Sequence, residues 1–193
     1  ALDPACDLLI GVGTGSINDL CKFTAFKTKM PYCIVATAPS MDGFASSVAP
    51  LIVNNLKTTY EVGVADAIIG DTKILSQAPM PMIMAGIADI LGKYTCLTDW
   101  KMAQIINGEY YCEAIVQMVR TSLRAVAENL DKAAARDEQT VGKIMEALVL
   151  TGIAMSFVGN SRPASGSEHH ISHYWEMMFL HEGKKAVLHG TKV

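Results

Sequence analysis

The sequence is poor in charge and in aromatic side chains, at 18% and 7% of its residues. Its formal net charge of -3 lacks the basic excess typical of nucleic-acid binding, so we expect no nucleic-acid partner. No uninterrupted apolar run reaches the roughly 18–20 residues of a membrane span, and we expect no membrane partner. The richest run, residues 80–97, is broken by Asp89 and Lys93. Half of the 193 residues are hydrophobic, which predicts a core-rich globular protein of one large or two small domains.

Cysteine is also scarce, and its spacing has no pattern. The five cysteines include no C-x-x-C motif. An odd, unpatterned set favours reduced thiols in a cytosolic protein rather than a disulfide framework. No basic and apolar secretory signal is recognisable at the start of the sequence. We therefore expect a cytoplasmic protein.

A glycine-rich segment, residues 11–16, follows a short apolar run. Residues 7–12 predict a buried strand, and a helix is predicted over 17–28. A glycine turn between a strand and a helix can hold a phosphate, because the backbone approaches closely and free N–H groups point outward. The spacing matches neither G-x-G-x-x-G nor a Walker A loop, so an ordinary turn remains an equal alternative.

The next apolar run, residues 32–37, predicts a second buried strand. The loop after it, residues 38–47, is dense in hydroxyl groups around Asp42. Loops that follow parallel strands are where α/β proteins place ligand-binding groups. Asp42 is therefore a candidate binding residue, although it could be an ordinary turn aspartate beside Gly43. Residues 65–71 predict one more strand that closes the sheet.

The pattern changes from strands to helices after residue 71. Apolar residues recur at helical spacing from Met84, and longer helical patterns cover about 101–129, 131–136 and 139–158. We predict an α/β part followed by an all-α part, with residues 1–71 as one domain and residues 72–193 as a second, helical domain.

Asp89 is unusual because it lies in an otherwise apolar helix start. A carboxylate among apolar neighbours is costly unless it is paired or binds a metal. It could pair with Lys93, four residues later on the same helix face. The sequence therefore leaves a salt bridge and a metal site as the two alternatives.

All five histidines lie near the end of the chain, and four of them are candidates for a site: His169, His170, His173 and His189. We predict a helix after the Gly/Ser-rich loop, capped by Ser165 or Ser167. On it His169 and His173 share a face, and His170 is turned roughly 100° away. Two imidazoles on one face and a third from another segment suit a borderline divalent metal. The alternative is a set of ordinary core or surface histidines.

Four segments together resemble the sn-glycerol-1-phosphate dehydrogenase family of the iron-containing alcohol dehydrogenase and glycerol dehydrogenase superfamily. They are GTGSIND at 13–19, TAPSMDG at 37–43, AGIAD at 85–89, and residues 161–173 with 189–190. The bacterial, arabinose-operon-linked branch is the most similar, and the resemblance covers essentially the whole chain. It implies part of a Rossmann-like parallel sheet followed by a helical metal-binding domain, the dehydroquinate synthase-like architecture.

The resemblance also implies roles for individual residues. Asp89, His169 and His189 match the metal ligands, His173 matches a histidine at the substrate, and Asp42 matches a carboxylate that contacts the substrate hydroxyls. Asp42, Asp89 and His173 are thus the implied catalytic and substrate-binding residues. The implied coenzyme contacts are Gly13, Gly15, Ser16, Ile17, Asn18 and Asp19 at the pyrophosphate turn, with Thr37, Ser40 and Ser46.

The implied reaction is hydride transfer between sn-glycerol 1-phosphate and dihydroxyacetone phosphate, with NAD or NADP and one divalent metal. Zinc, nickel and iron all tolerate two histidines and a carboxylate, which leave positions open for a substrate oxygen. His173 would relay the proton or orient the substrate. We add Arg162 as a phosphate-binding candidate, because its fork of donors suits a phosphate dianion. Arg162 could instead only pair with a nearby carboxylate.

Members of this family are longer than 193 residues. They open with an adenosine-binding βαβ segment and continue beyond the motif at 189–190, so we expect this chain to be a fragment. We also expect a phosphorylated polyol substrate and a homo-oligomer, a dimer or larger. A glycerol dehydrogenase or a 3-dehydroquinate synthase-like lyase on the same scaffold remains an alternative. A catalytically silent helical module is another.

Overall fold

The computed structural model describes residues 3, 5–54, 56–185 and 187–193. A parallel sheet is formed by β1 (Leu9–Gly13), β2 (Tyr32–Ala36) and β5 (Ala67–Ile69), in the order β1-β2-β5. Helix α1 (Gly15–Thr28) connects the first two strands. All three strands and this helix were predicted from the sequence, with bounds that differ by a few residues. The α/β prediction for this part of the chain is confirmed.

Strand β1 is less buried than predicted. The side chains of Ile10 and Val12 are 59% and 63% exposed, whereas Gly11 between them is buried. Successive side chains of a strand point to opposite faces, so only alternate positions pack against α1. A continuous apolar run predicts burial on both faces of a parallel sheet. Among the described residues, only one face of β1 is covered.

An antiparallel hairpin follows, which the sequence suggested only as short apolar pieces. It consists of β3 (Val48–Val53) and β4 (Leu56–Glu61), with Ile52 opposite Lys57. A short 3-10 helix, Gly43–Ala45, lies between β2 and the hairpin. The hairpin matters for the site because it carries Lys57 toward the helical part of the chain.

The rest of the described chain is helical, as predicted. The helices are α2 (Thr72–Ser76), α3 (Met80–Asn107), α4 (Glu113–Ala127), α5 (Leu130–Ala134), α6 (Glu138–Val158), α7 (Ser167–His181) and α8 (His189–Lys192). The single helix predicted over 101–129 was wrong. Gly108 adopts a left-handed φ of 67° and ends α3 there, so that α4 begins as a separate helix.

The main hydrophobic core joins the sheet to the helices. Its buried members include Ile34 and Phe44 from the first part of the chain, and Ile90, Ile144 and Leu148 from α3 and α6. A second cluster surrounds Trp100, between α3, α4 and α6. The change from strands to helices falls near residue 71, as expected, but the core is continuous across it. The division into two domains stays a prediction.

Helix α6 is long and apolar enough to cross a membrane by length and composition, with a mean hydropathy of 1.6 over its most apolar 18-residue window. Lys143 and Glu146 interrupt the apolar run, so this helix did not stand out in the sequence. Within the protein, 44% of that window is buried, and Ile144 and Leu148 lie in the main core. Core helices of soluble proteins pass the same test, so the criterion is weak.

Candidate functional site

Gly86 allows the loop after β2 to lie directly on helix α3. A Cβ atom at this position would be 1.9 Å from the carbonyl oxygen of Pro39. This close approach places the backbone N–H of Asp42 2.9 Å from Oδ2 of Asp89, to which it donates a hydrogen bond. Two carboxylates predicted to be functional are therefore neighbours, although they lie in different parts of the chain.

Gly190 has the corresponding role for helix α8. A Cβ atom here would be 1.8 Å from the carbonyl oxygen of Ala85 and 3.0 Å from Cβ of Asp89. Only a residue without a side chain lets α8 pack this closely on α3. The contact brings His189, the preceding residue, to the same place as Asp89.

Asp89, His169 and His189 form a cluster whose ligand atoms all lie within 4.8 Å of one another. The two histidine Nε2 atoms are 3.1 Å apart, and Nε2 of His169 is 4.0 Å from Oδ1 of Asp89. A cation bound at about 2.0–2.2 Å from each donor needs donors roughly 3–4 Å apart. The donor types and spacings fit one divalent metal ion.

The hydrogen bonds around the histidines also suit metal binding. Nδ1 of His169 lies 2.7 Å from Oε1 of Glu168, so the ring donates its proton there and leaves Nε2 with a free lone pair. Burial lowers the pKa of His189 below its ordinary value, which favours the neutral imidazole. Two neutral nitrogens facing each other at 3.1 Å repel unless a cation or a proton lies between them.

Lys93 is fully buried between the two carboxylates. Its ammonium donates hydrogen bonds of 2.6 Å to Asp42, 2.7 Å to Asp89 and 3.0 Å to the carbonyl of Ala164. Burial alone would lower the pKa of Lys93, but the carboxylates of Asp42 and Asp89 raise it above the ordinary value. Burial would raise the pKa of Asp42, but Lys93, His189 and His169 bring it below the ordinary value. The sequence left a salt bridge with Lys93 and a metal site as alternatives for Asp89. The structure contains the salt bridge, and Asp89 also belongs to the cluster of possible metal donors.

His173 lies beside the two clustered histidines, on the same face of α7 as His169. Its ring centroid is 6.2 Å from those of His169 and His189. Nδ1 of His173 is 2.9 Å from the ammonium of Lys57, on the hairpin. An ammonium can only donate, so Nδ1 accepts and the ring proton is assigned to Nε2. His170 is exposed on another side of the helix, as predicted.

Glu176, one turn after His173, binds two lysines from other elements. Lys57 lies 2.5 Å from one of its oxygens, and Lys192 of α8 lies 2.7 Å from the other. Burial would raise the pKa of Glu176, but the hydrogen bonds from Lys192 and Lys57 help to bring it well below its ordinary value. Burial lowers the pKa of Lys192. Sequence reasoning did not find Lys57, Glu176 or Lys192, because no local pattern marks them.

The glycine turn and the Asp42 loop lie against each other. The backbone N–H of Thr37 donates to Gly13, and the Asn18 side chain donates to Gly43. Oδ1 of Asn18 is buried without a partner among the described residues, and no side chain caps the start of α1. The uncapped helix start, with its free N–H groups, fits a bound phosphate group, whereas the buried Oδ1 of Asn18 is an acceptor and would need a donor such as a hydroxyl group. Among the other predicted coenzyme residues, Gly15 lies against Met41, Ser16 and Ile17 are exposed, and Ser40 and Ser46 are buried.

Two charged groups support this turn. Lys22, which is buried, donates to Oγ of Ser46 at 2.9 Å and to the carbonyls of Gly43 and Val48. Burial raises the pKa of Asp19 to about 7, even though Lys22 and Lys57 act to lower it. Protonation of Asp19 is therefore easier than for an exposed carboxyl group, which would reduce its repulsion of a coenzyme phosphate.

The cap predicted for helix α7 was wrong. Its first residue is Ser167, and Gly166 precedes it without any side-chain cap from Ser165 or Ser167. Instead Asp99 accepts a 2.7 Å hydrogen bond from the Ser167 N–H, and Glu168 accepts one of 2.8 Å from the Gly166 N–H. Carboxylates near a helix N-terminus also interact favourably with the helix dipole, so they replace a serine cap.

Arg162 forms an ion pair with Glu109. Its Nε and Nη2 atoms each donate a 2.6 Å hydrogen bond to a different oxygen of that carboxylate. This is the alternative that the sequence left open, and it occupies the side of the fork that would bind a phosphate. The pairing weighs against the phosphate role, which stays a prediction.

Comparison with known proteins agrees with this architecture. A model of the iron-containing alcohol dehydrogenase family matches residues 1–79. The structure is similar to a probable glycerol dehydrogenase from Sinorhizobium meliloti, with a TM-score of 0.78 and 22% identity over 96% of this chain and 53% of the other. The fold is therefore that of the iron-containing alcohol dehydrogenases, as the sequence indicated.

The chain is also similar in sequence to two curated glycerol-1-phosphate dehydrogenases. The chain is 45% identical over 187 residues to the glycerol-1-phosphate dehydrogenase (NAD(P)+) of Geobacillus thermodenitrificans, a match that covers 97% of this chain and 46% of the relative. It is 39% identical over 192 residues to that of Methanosarcina mazei, covering 100% and 53%. The resemblance to glycerol-1-phosphate dehydrogenases is confirmed over nearly the whole chain, which spans about half the length of the curated relatives it matches.

Proposed function

We propose that this chain carries the metal-binding and nicotinamide-side part of a dehydrogenase that interconverts sn-glycerol 1-phosphate and dihydroxyacetone phosphate. The observation that supports it most is the convergence of Asp89, His169 and His189 in a chain 45% identical to a glycerol-1-phosphate dehydrogenase. Three separate elements have to meet for this cluster to form. An arrangement of this kind is expected of a metal centre and not of scattered surface histidines.

In this proposal Asp89, His169 and His189 hold one divalent metal, and Glu168 orients His169. The metal would supply Lewis-acid polarisation of the substrate oxygen, and NAD or NADP would accept or donate the hydride. Lys93 and the Asp42 N–H each bind one oxygen of the Asp89 carboxylate and so fix its orientation. The protein thereby holds the ligand in place before a substrate arrives.

Asp42 is assigned to the substrate hydroxyls. Its Oδ2 accepts the hydrogen bond from Lys93, and no hydrogen bond to Oδ1 occurs within the described part of the chain. A buried carboxylate kept ionised by a neighbouring ammonium is a strong acceptor for a hydroxyl. Asp42 would therefore orient the substrate by accepting a hydrogen bond from one of its hydroxyl groups.

His173 is assigned to proton transfer or to substrate orientation. The contact with Lys57 makes Nδ1 an acceptor, so Nε2 carries the proton and can donate it to a substrate oxygen. The ring is partly exposed, unlike that of His169, and is therefore accessible to a ligand beside the metal cluster. The glycine turn at the start of α1 would bind the coenzyme pyrophosphate through its backbone N–H groups.

The deciding experiment uses the full-length protein. Metal content is measured first, and oxidation of glycerol 1-phosphate is then followed with NAD and with NADP. We expect one divalent metal per chain and reduced coenzyme formed only when the metal is present. Stoichiometric metal without any turnover of glycerol 1-phosphate would reject the proposed substrate, and absence of metal would reject the site.

Glycerol oxidation is the second candidate, because the structural neighbours include a probable glycerol dehydrogenase. Turnover of glycerol in preference to glycerol 1-phosphate would favour it. A cytoplasmic location and a homo-oligomer also belong to the proposal. Both follow from the resemblance to metabolic dehydrogenases and are tested by fractionation and by the mass of the protein in solution.

A further inference from the structure

We propose that Lys57 and Lys192, held side by side by Glu176 next to His173, bind the phosphate group of the substrate. This inference rests on the function proposed above, since that function gives the substrate a phosphate. It assigns phosphate recognition to residues that the motifs do not mark, and it takes this role away from Arg162.

The first observation is that three elements contribute to one small group. Lys57 comes from β4, Glu176 from α7 and Lys192 from α8. Lys57 and Glu176 are 119 positions apart in the chain, and their contact is 2.5 Å. Because the two lysines bind different oxygens of one carboxylate, their ammonium groups are neighbours.

The second observation is the charge and donor balance. Glu176 pairs with both ammonium groups, and Asp19, which also interacts with Lys57, pairs with Lys22 at 3.9 Å, so the group keeps an excess of positive charge. Each ammonium has three N–H donors. Within the described contacts, Lys57 uses its donors on His173 and Glu176, and Lys192 uses one on Glu176. The remaining donors are available to an anion, and phosphate oxygens accept such charge-assisted hydrogen bonds strongly.

The third observation is position. His173 contacts Lys57 directly and lies next to both histidines of the metal cluster. The row from His189 through His173 to Lys57 therefore leads away from the metal donors toward the hairpin. A three-carbon substrate whose central oxygen lies at the metal would extend its phosphate in this direction. Arg162 is less suitable, because Glu109 already accepts two hydrogen bonds from it.

A purely structural role is the competing explanation for Lys192. Its ion pair with Glu176 ties α8 to α7 and so helps to keep His189 in place. Lys57 also contacts α7, through Glu176 and His173, but it lies on the hairpin, an element that carries no metal ligand, so its loss disturbs the metal donors less directly. Lys57 therefore gives the sharper test.

The experiment measures binding of inorganic phosphate to the metal-loaded full-length protein by calorimetry. The variants are Lys57→Met, Lys57→Arg and Lys192→Met, and Lys101→Met is a matched control at an exposed lysine of α3. We expect Lys57→Met to weaken phosphate binding by about tenfold to a hundredfold, as for one lost charge-assisted hydrogen bond. Lys57→Arg and Lys101→Met should bind phosphate with the affinity of the unaltered protein.

The same variants are then assayed with glycerol 1-phosphate and with glycerol. A rise of KM for the phosphorylated substrate alone supports the proposal. Unchanged phosphate affinity in Lys57→Met, or no phosphate binding by the unaltered protein, overturns it. If Lys192→Met loses its metal, its phosphate affinity reflects the damaged metal site, and the phosphate affinity of Lys57→Met decides whether the proposal holds. Loss of phosphate binding in Lys57→Met supports the site even if glycerol 1-phosphate proves not to be a substrate, so the two proposals fail separately.

Discussion

The ammonium of Lys93 donates a 2.6 Å hydrogen bond to Asp42, although the two residues are 51 positions apart. The same ammonium also binds Asp89, and all three side chains are buried. Two carboxylates therefore share one positive charge. One negative charge remains, and it would attract a divalent cation to Asp89 and the two histidines. Lys93 would thus keep the site folded in both the metal-free and the metal-bound protein.

Replacing Lys93 with Met should destabilise the metal-free protein strongly. Loss of one partner from a buried ion pair leaves an uncompensated charge, at a cost of about 3–5 kcal/mol. Urea unfolding with and without divalent metal measures this, with Lys101→Met as the control. Metal should recover part of the loss, because it restores positive charge beside Asp89. An unaltered free energy of unfolding would show that other groups compensate the two carboxylates.

Replacing His169 with Ala should remove the metal from the full-length protein. In the proposed site the imidazole would supply one of the three ligands found in the described part of the chain, and Glu168 would lose its hydrogen-bond partner as well. His170→Ala is the matched control, because its ring is exposed on another side of the same helix. Elemental analysis of the purified variants gives the result. Full metal occupancy in His169→Ala would refute the assignment.

Replacing Gly190 with Ala should also reduce metal binding, without changing any ligand. The added Cβ would meet the carbonyl of Ala85 at 1.8 Å, so α8 must move and take His189 with it. Gly63→Ala is the control, because a Cβ there has open space around it. Metal affinity is measured for both variants by competition with a chelator, and we expect it to be lower in Gly190→Ala than in Gly63→Ala. Equal affinities would mean that α8 can shift while His189 stays in place.

The sequence was sufficient to predict the parallel strands, the first helix and the change to helices near residue 71, because each depends on local periodicity or on glycine and proline. It failed at Gly108, where periodicity continues on both sides of a helix break. It also overestimated the burial of β1, because an apolar run does not show which faces of a sheet are covered.

Some residues of the candidate site could be predicted from the sequence and others could not, for a physical reason. Asp89 and the histidines could be found because their chemistry is unusual for an apolar helix or a glycine-rich loop. Lys93 was visible as the residue four positions after Asp89, but its contact with Asp42 depends on Gly86 and on the packing of two distant segments. Lys57 and Lys192 are ordinary lysines in the sequence, and only the tertiary fold places them together.

Replacing Asp42 with Asn should impair substrate handling more than coenzyme binding. The amide keeps the shape of the side chain but removes the charge that Lys93 stabilises and that a substrate hydroxyl would use. KM for glycerol 1-phosphate and the Kd for the coenzyme should be measured on the same preparation, and its free energy of unfolding alongside. Weaker coenzyme binding with unchanged substrate kinetics would assign Asp42 to the coenzyme site instead.

Replacing Arg162 with Ala tests which of its two expected roles is correct. The pair with Glu109 is partly exposed, so we expect a loss of stability of about 0–1 kcal/mol, as for other surface ion pairs. KM for glycerol 1-phosphate and for glycerol should change by the same factor, because the guanidinium fork is already occupied. Glu109→Ala is the matched control and should have the same effects, since it breaks the same pair. A rise of KM for glycerol 1-phosphate alone, in Arg162→Ala but not in Glu109→Ala, would show that Arg162 leaves its partner to bind the phosphate.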